Sequence, residues 1–171
     1  MDVIALRKNS GTVSGDIRIN GYPQEKKSFR RCSGYVEQFD IQTPQLTIRE
    51  TVLFSARLRL DATKVKTGEE KEKFCDAVIE TLELTPLAHC LVGSDEEGGL
   101  SFEQKKRLSI AVELAASPSI LFLDEVRIFG QHHTSLPRFF KKRQFYILPS
   151  LISCFYSCNS QQPDLMPGAL H

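Results

Sequence analysis

Three stretches of the chain repeat one arrangement. A hydroxyl residue is followed three positions later by Glu or Gln, and apolar residues then recur at helical spacing. The pairs are Thr47 with Glu50, Thr67 with Glu70, and Ser101 with Gln104. Each reads as a capping box, in which the hydroxyl accepts a backbone N–H of the first turn and the acid or amide reaches back to the cap. The first predicts a helix to about residue 60, with Val52, Leu53, Ala56 and Leu60 on one face. The second predicts a helix with a stripe of Phe74, Ala77, Val78 and Leu82, and the third one with Leu108, Ala111, Val112 and Ala115 inward. Between them lie strand patterns. VSGDIRI over 13–19 places β-branched residues on a period of two and ends in the turn pair Asn20-Gly21. Gly34-Tyr35-Val36 is a second short candidate. After Pro118, residues 119–123 read SILFL, an unalternated apolar run that suits a parallel strand buried on both faces. Strands and helices mixed in this order predict an α/β fold.

Composition and charge divide the chain in two. It has 171 residues, with 22 Lys+Arg against 21 Asp+Glu, 41% apolar residues and 25% charged. Those are globular values, and the near-neutral total argues against a nucleic-acid binder driven by bulk charge. Only one acidic residue, Asp164, lies beyond Glu125, against five basic ones, so 126–171 carries +4 and 1–125 carries −3. The later segment also holds seven of the 15 aromatic residues without a helical or strand period. It reads as a disordered tail, and 161–171 as a frayed end. Five scattered cysteines do not make a disulfide scaffold, and an odd count favours a reducing compartment. The first 20 residues hold no secretory apolar run, and the most apolar later stretch, 145–156, is interrupted by Pro149 and too short to span a bilayer.

Three local features carry possible chemistry. In ILFLDE, 120–125, two carboxylates emerge at the carboxyl end of a buried strand, where open α/β sheets bind ligands. A strand that simply ends in surface charge reads the same way. In Gly98-Gly99-Leu100-Ser101-Phe102-Glu103-Gln104 a flexible turn opens onto a capped helix N-terminus, a ready anion site or an ordinary cap. Gln38 follows the strand candidate at 34–36, where its carbonyl oxygen suits a metal or a metal-bound water, or merely faces solvent.

In this order, a strand-end Gln, G-G-L-S-x-x-Q and hhhhDE resemble the nucleotide-binding domain of an ABC transporter. The segments DVIALRK, SGDIRINGYP, SGYVEQFDI, TIRETVLFSARLRL and LSFEQKKRLSIAVELAASPSILFLDE look like the second such domain of pleiotropic-drug-resistance transporters. Those are the full-length branch of the G subfamily, and the wording is most like plant members. The resemblance runs over 1–125 and implies a partial P-loop NTPase fold with a helical signature subdomain at about 47–116. It implies ATP and Mg²⁺ as cofactors, with the opposite nucleotide-binding domain and a transmembrane domain as partners. The implied setting is the cytoplasmic face of a membrane, the plasma membrane for the parent. Gln38 matches the Q-loop glutamine that senses Mg²⁺ and the γ-phosphate. Leu100, Ser101, Phe102, Glu103 and Gln104 match the signature motif, which clamps ATP held by the opposite domain. Glu103 stands at the second signature glycine, and a carboxylate there implies repulsion toward a γ-phosphate. Asp124 matches the Walker B aspartate, a Mg²⁺ ligand, and Glu125 the catalytic glutamate.

The departures shape the expected function. No GxxGxGKT loop precedes residues 1–5, and after Glu125 the chain reads Val126-Arg127-Ile128 where the family has Pro-Thr-Ser-Gly-Leu-Asp. Leu6 stands where the family usually has Gly. His132-His133 comes too early for the H-loop histidine, and without supporting partners it does not make a metal pair. The expectation is a domain truncated at both ends, from a parent that couples ATP hydrolysis to export of lipophilic compounds. The chain alone is expected to be inactive and marginally stable, with an open apolar edge on ILFLD. The alternative is a non-catalytic module that pairs with an intact transporter's nucleotide-binding domain. A DNA-repair or chromosome ATPase is disfavoured because no sustained heptads occur.

Overall fold

A computed structural model describes residues 2–38, 41–63, 65, 67–94, 98–124 and 145–147. Its centre is a pair of short parallel strands, β3 (Ser33–Val36) and β6 (Ile120–Leu123). The register sets Gly34 against Leu121 and Val36 against Leu123. Side chains alternate across the pair. Leu121, Leu123 and Val36 enter the main core, while Phe122 packs with Ala5 and Phe29 on the other face. The apolar run is thus the parallel strand, covered on both faces, that its pattern predicts.

The three capping boxes all form. Thr47, Thr67 and Ser101 each cap a helix, α2 (Ile48–Arg59), α3 (Gly68–Thr81) and α4 (Phe102–Leu114), with reciprocal hydrogen bonds to the residue three positions on. The predicted stripes face inward: Val52, Ala56 and Leu60, then Phe74, Val78 and Leu82, then Leu108, Ala111 and Ala115 are buried. Helix α4 lies between the sheet and helices α2 and α3. Glu113 near its end joins three elements: it takes two hydrogen bonds from Arg59 of α2, at 2.7 and 2.8 Å, and one from the Tyr35 N–H of β3 at 3.1 Å. That carboxylate pushes the Arg59 pKa up.

Other elements depart from the sequence reading. The alternating run at 13–19 is extended only at β1 (Arg18–Ile19), which pairs antiparallel with β2 (Tyr22–Pro23) across the predicted Asn20-Gly21 turn. Both turn residues have positive φ, 51° and 86°, as this hairpin type requires. One residue upstream the Gln24 N–H still donates to the Ile17 carbonyl at 2.9 Å, and beyond it Gly15 turns the chain at φ 117°. A seven-residue helix, α1 (Lys26–Cys32), has no side-chain cap and no periodic signal, and only Phe29 of it is buried. A short hairpin of β4 (Gly93–Ser94) and β5 (Gly98–Gly99) leads into α4.

The free edge expected on ILFLD is closed. Strand β7 (Phe145–Ile147) pairs antiparallel with β6, Ile120 opposite Ile147 and Phe122 opposite Phe145. Backbone pairing needs no side-chain period, so nothing in the aromatic-rich segment marks it in advance. The rest of 126–171 lies outside the described residues.

Two backbone positions give predictions. A Cβ on Gly34 would stand 2.9 Å from Leu121 Cδ1 and 3.0 Å from Glu113 Oε2. Gly34→Ala is therefore expected to lower stability by about 1–3 kcal/mol in urea titration. Leu6 has φ 57°, a left-handed conformation that costs a residue bearing Cβ about 1–2 kcal/mol. Glycine's larger unfolded-state entropy offsets part of that relief. Leu6→Gly is expected to be more stable than Leu6→Ala by about 0.5–1 kcal/mol in the same assay, and equal stability of the two would show that the backbone there is unstrained.

Candidate functional site

The parallel pair ends on one edge with the chemistry-bearing residues. Val36 and Leu123 are the last partners of β3 and β6, and the Asp124 N–H donates to the Val36 carbonyl at 3.1 Å. Glu37, Gln38 and Asp124 therefore leave the sheet together at its carboxyl end, the side on which open α/β sheets bind ligands. Asp124 Oδ2 accepts a hydrogen bond from the Tyr35 hydroxyl at 2.9 Å, and the same hydroxyl lies 3.1 Å from Asp2 Oδ1. One phenol proton serves one carboxylate at a time. Burial first, and then the Asp124 carboxylate, push the Tyr35 pKa up, so the phenol stays a donor. The Arg7 guanidinium sits 4.4 Å over the Tyr35 ring and pairs with Glu37.

Gln38 is exposed two residues past the strand end. Its backbone is held from below. Lys106 Nζ donates to the Glu37 carbonyl at 3.0 Å and to the Gln38 carbonyl at 2.6 Å. Lys106 is only 2% exposed. Four residues beyond Gln38, the Gln42 side-chain amide reaches Ser109 Oγ of the same helix at 3.5 Å.

The segment 100–104 builds the start of α4. Gly99 is tightly constrained, since a Cβ there would stand 2.5 Å from the Val92 carbonyl oxygen. The Leu100 N–H donates to that carbonyl at 3.1 Å, and its side chain is buried as the floor of the turn. Ser101 Oγ accepts the Gln104 N–H at 3.3 Å, and Gln104 Oε1 accepts the Ser101 N–H at 2.9 Å. Ser101 is exposed, so its hydroxyl proton is available to an acceptor in solvent. Phe102 is 66% exposed, with Lys106 Nζ 5.9 Å from its ring centroid. Glu103 does not stand alone at the helix start. Arg107 one turn later pairs with it at 2.6 Å and with Glu83 at 3.2 Å.

The structure thus brings Gln38 and Asp124 to one sheet edge and ties the second turn of α4 to that edge. Ser101 lies five residues before Lys106, about 7–8 Å farther along the helix axis at the usual rise. Within 100–104, Ser101 and Phe102 are exposed, Glu103 and Gln104 are half-buried and Leu100 is buried. Glu125 lies outside the described residues. Tyr35, Lys106 and Arg107 are the site residues that sequence reasoning missed. The sequence signal is two adjacent basic residues just inside a capped helix, and the burial of 106–111, which makes those charges need partners, shows only in the fold. Tyr35 carried no such signal.

The profile of the ABC transporter family matches residues 3–127. ABC transporter G family member 31 of Arabidopsis thaliana is 54% identical over 125 residues, covering 73% of this chain and 9% of that protein. ABC transporter G family member 38 of Oryza sativa subsp. japonica is 53% identical over 125 residues, 73% of this chain and 8% of its own length. The chain spans less than about a tenth of the length of these relatives. A solved structure described as the ATP-binding subunit of an ABC transporter is 19% identical, with a TM-score of 0.47 over 66% of this chain and 43% of that one. With residues 3–127 matched by that profile, this chain belongs to the ABC transporter family, and its similarity to these relatives lies within the G subfamily.

Proposed function

We propose that the chain is part of the nucleotide-binding domain of an ATP-driven transporter of the pleiotropic-drug-resistance type, which exports lipophilic compounds. The observation that carries this reading is the shared sheet edge, where Gln38 and Asp124 emerge together and Tyr35 orients the Asp124 carboxylate. The donor set suits Mg²⁺. Asp124 spends one oxygen on Tyr35, and its other oxygen has no hydrogen bond among the described residues. Mg²⁺ in phosphate sites uses one or two carboxylates, with water and phosphate oxygens for the rest. No group of three His, Cys, Asp or Glu side chains is needed, and none occurs among the described residues.

When bound, Mg²⁺–ATP supplies the phosphoanhydride to be broken and the cation that neutralises its charge. Asp124 would hold the ion, directly or through water, in the orientation that Tyr35 sets. Gln38 would bond to the ion or its water through its side-chain oxygen. Glu125 would polarise the attacking water. Ser101 would donate its hydroxyl proton to a phosphate oxygen of ATP held by an opposite domain. The backbone N–H groups at the start of α4 add to that grip. Leu100 supports this turn from beneath, Gln104 fixes its cap and exposed Phe102 flanks it. Glu103 leaves the anion face usable because Arg107 takes up its charge.

None of the 171 residues forms a GxxGxGKT loop. A polypeptide of these residues, assayed by itself, is therefore proposed not to turn over ATP. No helix among the described residues is long and apolar enough to cross a membrane. The membrane domain and the opposite nucleotide-binding domain are thus proposed as partners at the cytoplasmic face. The outward-facing Ser101 supports a second reading, in which the chain acts as a non-catalytic module on an ATP-loaded domain.

Two experiments test these readings. In the first, 3–125 replaces the corresponding segment of a G-family relative. Mg²⁺-dependent ATP turnover and efflux of a lipophilic dye are expected to survive, and Asp124→Asn is expected to cut turnover at least about a hundredfold. An unaffected Asp124→Asn chimera would overturn the metal assignment. In the second, the whole chain is mixed with a hydrolysis-blocked nucleotide-binding domain of the relative. ATP-dependent association that Ser101→Arg abolishes is expected, and association indifferent to ATP would remove the second reading.

A further inference from the structure

We infer that Lys106 is a positioning residue for Gln38, tying the strand-end glutamine and the first turns of α4 into one unit. Its importance rests on reading Gln38 and Ser101 as nucleotide-facing residues, but the latch itself is a property of the chain without nucleotide. Lys106 is almost wholly buried, and its ammonium donates to two consecutive carbonyls, those of Glu37 and Gln38. An ammonium removed from water is stable only where oxygens replace its hydration. Here those oxygens belong to the segment that presents Gln38. Holding successive carbonyls from one point fixes the direction of the peptide plane between them, and with it where the Gln38 side chain starts. The Gln42–Ser109 contact holds the same segment to α4 one turn farther on. The loop is attached at its other end as well, where the Val92 N–H donates to the Leu46 carbonyl at 2.9 Å and the Val92 carbonyl accepts the Leu100 N–H at 3.1 Å. A displacement of the helix start that carries Ser101 is thereby passed to the backbone of Gln38. A lysine serving only to fill space would not need this geometry, and methionine of similar length would replace it.

Glutamate-specific proteolysis of the full chain, read bond by bond by mass spectrometry, separates the two roles. The Glu37–Gln38 bond contains a latched carbonyl. The Glu113–Leu114 bond inside α4 reports global unfolding. Where reclosing is faster than cutting, each rate follows the open population. Hydrogen bonds to a charged group are strong enough that losing them raises local opening about tenfold or more. Lys106→Met is expected to accelerate cutting at Glu37–Gln38 by that factor relative to Glu113–Leu114, and Lys106→Arg, which restores donors, is expected to return the ratio toward the unsubstituted value. An unchanged ratio in a folded Lys106→Met chain, or an arginine variant as fast as the methionine one, would overturn the inference. If Lys106→Met does not fold, the unsubstituted chain decides. A slowly exchanging Lys106 ammonium signal in ¹⁵N NMR, coupled through hydrogen bonds to the Glu37 and Gln38 carbonyl carbons, supports the latch, and its absence overturns it. None of these readouts involves ATP, so failure of the transporter reading would leave them standing, and their failure would leave that reading standing.

Discussion

The four-residue register between β3 and β6 is the constraint from which the other placements follow. It puts Val36 beside Leu123 and so brings Gln38 and Asp124 to one edge, although 86 residues of sequence separate them. Gly34 in that pair has no Cβ, and the space it leaves is filled by Leu121 and the Glu113 carboxylate. Glu113 in turn holds Arg59 of α2. One missing methyl group therefore leaves room for the carboxylate that ties β3 to the end of α4 and to α2.

Helix α4 is buried on nearly every side, unlike a surface helix with a single apolar stripe. That burial converts its polar residues into connectors. Lys106 turns to the Gln38 segment and Arg107 to Glu83 and Glu103, while Ser55 of α2 donates to the Val112 carbonyl at 2.8 Å. Each connector joins α4 to a different neighbour. The helix that begins at residues 101–104 thus also joins α2 and α3, which pair directly with each other through Arg49 and Asp76, to the sheet.

Much of this was legible from local chemistry. The capping boxes, the Asn20-Gly21 turn and the buried strand at 120–123 each depend on residues close in sequence, and each forms as read. The α/β class follows from their order. What was not legible depends on partners far along the chain. The run at 13–19 has strand alternation, but the strand covers only 18–19, with one further hydrogen bond at Ile17. Strand β7 joins β6 through backbone groups common to every residue. At the site, Gln38 and Asp124 were visible as strand-end polar residues. The Tyr35 hydroxyl on Asp124 was not, because an aromatic residue in a strand usually signals packing, and Tyr35 also packs against Phe122.

Glu103 shows how contacts alter a reading made from residue type. As a carboxylate at the start of a helix proposed to meet phosphate, it implies repulsion. A carboxylate in the first turn also interacts favourably with the helix dipole, and Arg107 lies at the i+4 position where such pairs meet. Arg107 is itself largely buried and shared with Glu83, which keeps its guanidinium within reach of Glu103. Glu103 is thus drawn along the helix toward Arg107, not left at the anion-facing tip. The tip keeps its exposed Ser101 hydroxyl, while the Ser101 and Gln104 N–H groups are used in the capping box. Substituting a glycine by a glutamate at this point changes the flank of the anion face more than the face itself, and the arginine one turn later is what makes that possible.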